Sequence, residues 1–237
     1  MISLGIDPSL RAFGWCVYTY ESDSHIILGS GHEASFKSDV PVARYTQFRS
    51  LVEILIQKYD PDCIGIESPA YNAGPFQSIH FALMMYCLEA AFEARKDVVM
   101  FDPATVKFLA KRNPGKSLFG KAEMINHVKQ DVLDLDGIDN NEADAYVVSK
   151  YASHFFQVRD GVCDLSKLEQ NEYKVFAGRV RKSKKGSEVV TKPMAHLFKE
   201  NNRFFRFSQV PKGSVKLPKI SQIDPSIVHY LENTTRG

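Results

Sequence analysis

The chain has 237 residues, 44% of them hydrophobic, and a net charge of +2, enough apolar material for one substantial domain and an appendage. It contains no apolar run of roughly 18 residues, and its amino terminus lacks the order of a signal peptide, which predicts a soluble cytoplasmic protein with no membrane partner. Cys16, Cys63, Cys87 and Cys163 lie far apart without Cys-x-x-Cys spacing, which argues against disulfides and against zinc.

Residues 2–8 read as a strand, yet Asp7 and Pro8 fall within it. Both residue types are depleted from strand interiors, and a charge there is costly unless it is paired or holds a metal. Residues 15–20 and 26–28 read as two further strands across a polar turn, giving a three-stranded meander. Helical spacing of Tyr45, Phe48, Leu51, Val52, Leu55 and Ile56 predicts a helix over 42–58. The strand that follows, 63–67, ends in Glu67 with Pro69 close behind, and the helical crossover makes it parallel to its neighbour. A helix over 76–94, a strand over 98–101, and helices over 105–111, 121–130 and 143–156 complete an α/β order with a mixed sheet.

Asp144 introduces the last of these helices, so three acids stand at the mouths of three buried elements. Each taken singly reads as a cap or turn residue. Together they point to a single metal site, because phosphodiester cleavage develops charge on two oxygens that two divalent cations about 4 Å apart stabilise.

The composition changes after about residue 158. Residues 1–160 hold 15 Lys and Arg against 21 Asp and Glu, a net of −6, whereas 161–237 hold 15 against 7, a net of +8. Residues 179–187 carry five cations and no acid, and 202–207 alternate cations with aromatics. This extension is where a polyanion would be held, with bases stacking on rings and phosphates meeting cations. The competing reading is a small β-rich lobe that packs Phe204, Phe205 and Phe207 against the rest.

Taken in order, Gly5-Ile6-Asp7-Pro8-Ser9 with Gly14-Trp15, then Ile66-Glu67, Thr105-Val106-Lys107, Gly120-Lys121 and Ala143-Asp144-Ala145 resemble the motifs of the RuvC-type Holliday junction resolvases, within the RNase H-like superfamily. The resemblance covers residues 2–157. It implies an RNase H-like α/β fold with a mixed five-stranded sheet flanked by helices, a nuclease domain over 1–160, and a basic extension over 161–237. It also implies a Mg²⁺-dependent endonuclease acting on four-way junctions or other branched DNA as a homodimer, with two ions held by Asp7, Glu67 and Asp144 and with Mn²⁺ able to substitute.

The family's fourth ligand lies three residues before the last Asp, and here that residue is Asn141. Positions three apart share a helix face, so Asn141 falls beside Asp144 and Glu142 points away. Asn offers a carbonyl oxygen but no general base, and Glu142 or Asp139 replaces it only if the helix begins late. Lys121, Lys107 and Arg11 are the expected phosphate contacts. Tyr71 and Phe76 flank the loop after Glu67, where such resolvases place an aromatic that wedges into the junction. His80, His127 and His154 read as satisfied histidines. The length of the extension suggests a phage or mobile-element version. Two alternatives stay open: a nuclease of the same fold cutting flaps, forks or RNA–DNA hybrids, and a silent DNA-binding subunit. An actin-like or sugar-kinase ATPase needs two such domains and a longer chain.

Overall fold

A computed structural model describes residues 1–9, 12–34, 41–69, 77–111, 120–132, 137–182, 186, 188–191, 193–199 and 203–207. The meander forms as expected, with β1 (Ser3–Asp7) antiparallel to β2 (Phe13–Glu21) and β2 antiparallel to β3 (Ser24–Glu33). Helix α1 (Pro41–Tyr59) crosses to β4 (Cys63–Glu67), which lies parallel to β1, and α2 (Gln77–Glu93) crosses to β5 (Asp97–Phe101), parallel to β4. Helices α3 (Pro103–Leu109), α4 (Lys121–Asp131) and α5 (Asn140–Arg159) follow.

Two elements are longer than the apolar periodicity indicates. β3 runs on through Gly29, Ser30, Gly31 and His32 because it pairs along β2, a tertiary ladder that no local pattern announces. Helix α5 begins at Asn140 because Asp139 caps it: the Asp139 carboxylate accepts from Glu142 N at 2.8 Å while the Glu142 carboxylate accepts from Asp139 N at 3.4 Å. This reciprocal box lets a polar first turn precede the apolar stretch.

The extension contributes α6 (Gln170–Phe176), a separate hairpin of β6 (Arg179–Lys182) and β7 (Glu188–Thr191), and then β8 (Met194–Lys199) and β9 (Arg203–Phe207). β8 pairs antiparallel with β5, so the sheet holds seven strands in the order β3-β2-β1-β4-β5-β8-β9. The five strands of the expected sheet are contiguous within it. Val175, Phe176 and Ala195 are buried, so the first part of the extension shares the core of residues 1–160. Among the described residues no helix is long and apolar enough to cross a membrane.

Strand alternation divides the core into two layers. Leu4, Ile6, Ile64, Ile66, Val98 and Met100 face α1 and α2. Cys63, Val99 and Phe101 face the other way, toward α5, together with Cys16 and Tyr18 of β2. On that second face Gly5 and Gly65 are register partners, and α5 lies directly over them. A Cβ at Gly5 would stand 2.0 Å from the Ala145 carbonyl oxygen and 2.5 Å from Ser149 N, and one at Gly65 would stand 2.7 Å from the Val148 oxygen. Ser3 Oγ, on the same face, donates to the Ser149 carbonyl at 2.8 Å. The backbone of α5 therefore rests almost on the backbone of β1.

Gly5→Ala should push α5 off the sheet, because the obstruction is helix backbone and no side-chain rotation relieves it. We expect a loss of about 3 kcal/mol or more in urea unfolding, or failure to accumulate folded protein; wild-type stability in the variant would contradict this seating.

Candidate active site

Asp7 closes β1 and Glu67 closes β4, one register step beyond the pair Ile6 and Ile66. Parallel neighbours lie about 4.8 Å apart, so the two carboxylates leave the sheet side by side on the face that carries Gly5 and Gly65. Because α5 sits on those glycines with Ala145 over Gly5, its first turns overhang the ends of the two strands. Asp144, immediately before Ala145, is delivered to Asp7 and Glu67 in this way.

The three acids perturb one another. Burial raises the Asp7 carboxyl far above its ordinary value, and the negative charges of Asp144 and Asp139 raise it further against the opposing pull of Lys121. Glu67 is raised well above the usual range by burial first and then by Asp7 and Asp144, with Lys107 opposing. Asp144 is pushed from 3.8 to about 6 by burial, with Lys107 and Lys121 pulling it down and Asp139 adding to the rise. Half-buried hard oxygens that repel one another suit a small divalent cation. The arrangement fits such an ion.

Both lysines singled out in the sequence are at this site. Lys107 lies on α3, and Lys121 is the first residue of α4, whose N-cap is Gly120. At its far end α4 is fastened to α5, where the Asp131 carboxylate accepts from Lys150 Nζ at 2.6 Å and from Tyr146 OH at 3.2 Å. Arg11, Tyr71 and Phe76 lie outside the described residues.

The fourth position has its own geometry. Asn141 and Asp144 share a face of α5, and the Asn141 backbone packs against Gly14, the register partner of Asp7. The Asn141 amide donates to Asp139 Oδ2 at 3.3 Å. Glu142 is tied back by the cap and stands 3.5 Å from His32 Nδ1, which also lies 3.0 Å from Asp139. His32, Asp139 and Glu142 thus form a cluster beside the three acids. The pairing with His32 had no signal in the sequence, since it comes from β3, whereas the spacing of Asp139 and Glu142 is that of a capping box. Of the histidines read as satisfied, His127 pairs with Asp131 at 3.3 Å and His154 with Glu172 at 2.5 Å.

No model of a protein family matches the chain. It is similar to the crossover junction endodeoxyribonuclease RuvC of Rickettsia prowazekii, with 30% identity over 151 residues, 63% of this chain and 94% of that protein. The chain belongs to the RuvC family. RuvC of Rickettsia akari is 28% identical over 165 residues, 67% of this chain and all of the relative. Two solved structures of Thermus thermophilus RuvC, one alone and one with a Holliday junction substrate, superpose with TM-scores of 0.57 and 0.55 at 21% identity, each covering 68% of this chain and 97% of theirs. The fold is therefore that of RuvC, and membership of the family implies dependence on a divalent metal ion.

Raised carboxyls destabilise a folded protein once they ionise. For Asp144 the folded-state value exceeds the unfolded one, so its contribution is intact below pH 3.8, falls as pH rises, and is gone above about 6, a cost of about 3 kcal/mol. Metal-free protein should accordingly melt lower at neutral pH than at pH about 5, and Asp144→Asn should raise the neutral-pH melting temperature by roughly 5 °C or more. Melting curves in EDTA at both pH values measure this; an unchanged or lower temperature for the variant would show that burial does not strain the ionised Asp144.

Proposed function

We propose that this chain is a Mg²⁺-dependent endonuclease of branched DNA, cutting four-way junctions at a site made by Asp7, Glu67 and Asp144, with Mn²⁺ able to replace Mg²⁺. The observation that carries the reading is the convergence of three mutually repelling, half-buried acids in a chain that matches RuvC across nearly the whole of that protein. When bound, the cations stabilise negative charge on the attacking and leaving oxygens of the phosphodiester.

The chain's own groups do the rest. Asp7, Glu67 and Asp144 would hold the ions: Asp7 and Glu67 each feel the charge of Asp144, and Glu67 that of Asp7. Asn141 serves as a neutral oxygen ligand: its amide nitrogen is committed to Asp139, which leaves the carbonyl end for the site. Asp139 keeps a fourth negative charge within reach of Asp7 and Asp144 although the fourth ligand position is an amide. Lys107 and Lys121 hold phosphate on the open side, Lys121 together with the N-terminal amides of α4. Arg11, Tyr71 and Phe76 complete the DNA contacts in this reading, with residues 1–160 as the nuclease unit and 161–237 as the basic extension, working in the cytoplasm.

A four-way junction has two-fold symmetry, and paired cuts need two active sites related by that axis. A homodimer supplies them. Supporting this, α2 exposes Phe81 (42%) and Met85 (56%) one turn apart on a single face.

Asp7→Asn should lower single-turnover cleavage of a four-way junction by at least about a hundredfold, some 3 kcal/mol of barrier, while junction affinity stays the same or rises because a charge that repels phosphate has gone. Four-way, flap and RNA–DNA hybrid substrates run side by side in Mg²⁺ and in EDTA decide the substrate; preferential cutting of the flap or hybrid would overturn the junction assignment. Met85→Glu should convert the dimer to monomers in sedimentation, and an unchanged dimer would move the interface elsewhere.

A further inference from the structure

The resemblance to the resolvases ends near residue 157, yet one side chain beyond that point reaches the basic side of the active site. Asn171, in α6, donates its amide to the Phe108 carbonyl at 3.0 Å and to the Lys111 carbonyl at 2.6 Å. Those carbonyls bracket the end of α3. The last carbonyls of a helix have no partner within it, and a helix of two turns is marginal without help from outside. At its other end α3 is capped by Asp102, whose carboxylate accepts from Thr105 N and Thr105 Oγ1, each at 2.8 Å. Asn171 is a restraint at the C-terminal end, where Tyr151 OH of α5 also donates to the Leu109 carbonyl at 3.0 Å.

The residue that makes this bear on function is Lys107, one turn before the bracketed end. Its charge acts on both Glu67 and Asp144, which puts α3 over the metal-binding acids. Lys111 in turn opens the segment that leads along the chain to Gly120 and Lys121, the second lysine acting on Asp144. One amide thus holds the end of the element that carries the first lysine and the start of the path to the second.

The support beneath Asn171 is rigid. Phe176 of α6 meets Phe155 of α5 edge to face with ring centroids 5.5 Å apart, Val175 and Phe176 are buried, and Glu172, itself buried, pairs with His154 of α5 at 2.5 Å. α6 is therefore fixed to the same helix that delivers Asp144. α3 packs against both α5 and α6.

We propose that Asn171 is a positioning residue for Lys107, so that the extension braces the phosphate-contacting side of the active site and junction binding depends on it. This rests on the reading of Lys107 as a phosphate contact. Without the amide, the Phe108 and Lys111 carbonyls lose this donor, the end of α3 is held through Tyr151 and Leu109, and Lys107 is less firmly placed.

The test is a double-mutant cycle on the full chain, using an immobile four-way junction as probe. Affinity is measured in EDTA over a salt series for wild type, Asn171→Ala, Lys107→Ala and the pair, and single-turnover cleavage is followed in Mg²⁺. Loss of one phosphate contact reduces the slope of log affinity against log salt by about 0.9. Lys107→Ala should show that reduction, Asn171→Ala most of it, and the pair no more than Lys107→Ala alone. Asn171→Gln, which keeps a donor on a longer arm, should fall between wild type and Asn171→Ala, and serves as the working variant if the alanine form does not fold. Effects that multiply in the double variant, or a wild-type salt slope in both Asn171 variants, would overturn the brace while leaving the Lys107 reading intact. A wild-type slope in Lys107→Ala would overturn both.

Discussion

Everything at this active site depends on how closely α5 lies against the sheet. Two glycines in register, Gly5 and Gly65, remove the side chains that would hold a helix at the usual distance, and the Ala145 and Val148 carbonyls occupy the space. The approach sets three coordinates at once: the height of Asp144 above the sheet, its position along β1, and its rotation toward the ends of β1 and β4. Ser3 Oγ fixes the same helix a turn further on through the Ser149 carbonyl. An ordinary helix-on-sheet packing, cushioned by Val or Ile at position 5, would lift Asp144 away from the two strand ends and leave three separate acids.

That closeness has an electrostatic consequence. Bringing Asp144 down to Asp7 and Glu67 buries charges whose dominant perturbation is loss of water, and their mutual repulsion adds to it. Among the described residues, Lys107 and Lys121 oppose it. The hydrophobic packing of α5 on the sheet, with Ala143, Ala145, Val148 and Ala152 buried, must outweigh this repulsion before any cation arrives. Three acids held together against their own repulsion would attract a divalent cation, which is a physical reason for affinity that needs no further contact. The same logic accounts for an amide at position 141, since a fourth carboxylate on that face would add a further buried charge while Asp139 already supplies one from the helix cap.

Much of this was legible in the chain because it is local. Asp7 and Glu67 break apolar strands, Asp144 heads an apolar helix, and Gly120 precedes Lys121, so each could be found without knowing its neighbours. The i,i+3 relation of Asn141 to Asp144 follows from helical geometry alone. What stayed hidden depends on contacts between distant segments. His32 reaches Asp139 from β3, Asn171 reaches α3 from sixty residues away, and β8 joins β5 across ninety. α5 begins ahead of its apolar periodicity because a capping box stabilises polar residues that carry none, and β3 extends past its apolar stretch because its second half owes its conformation to β2.

The charge boundary and the packing boundary in this chain do not coincide. Net charge changes sign near residue 160, yet Leu165, Val175, Phe176 and Ala195 are buried in the cluster that surrounds α5. β8 also covers the edge of β5, whose unpaired backbone groups would otherwise invite another strand. An extension that served only as a mobile basic arm would need none of these burials. One that shares the core and pairs with the sheet is anchored there: Phe176 of α6 packs on Phe155 of α5, and β8 runs along β5. The described part of the extension is thus built onto the same sheet and helix that position Asp7, Glu67 and Asp144.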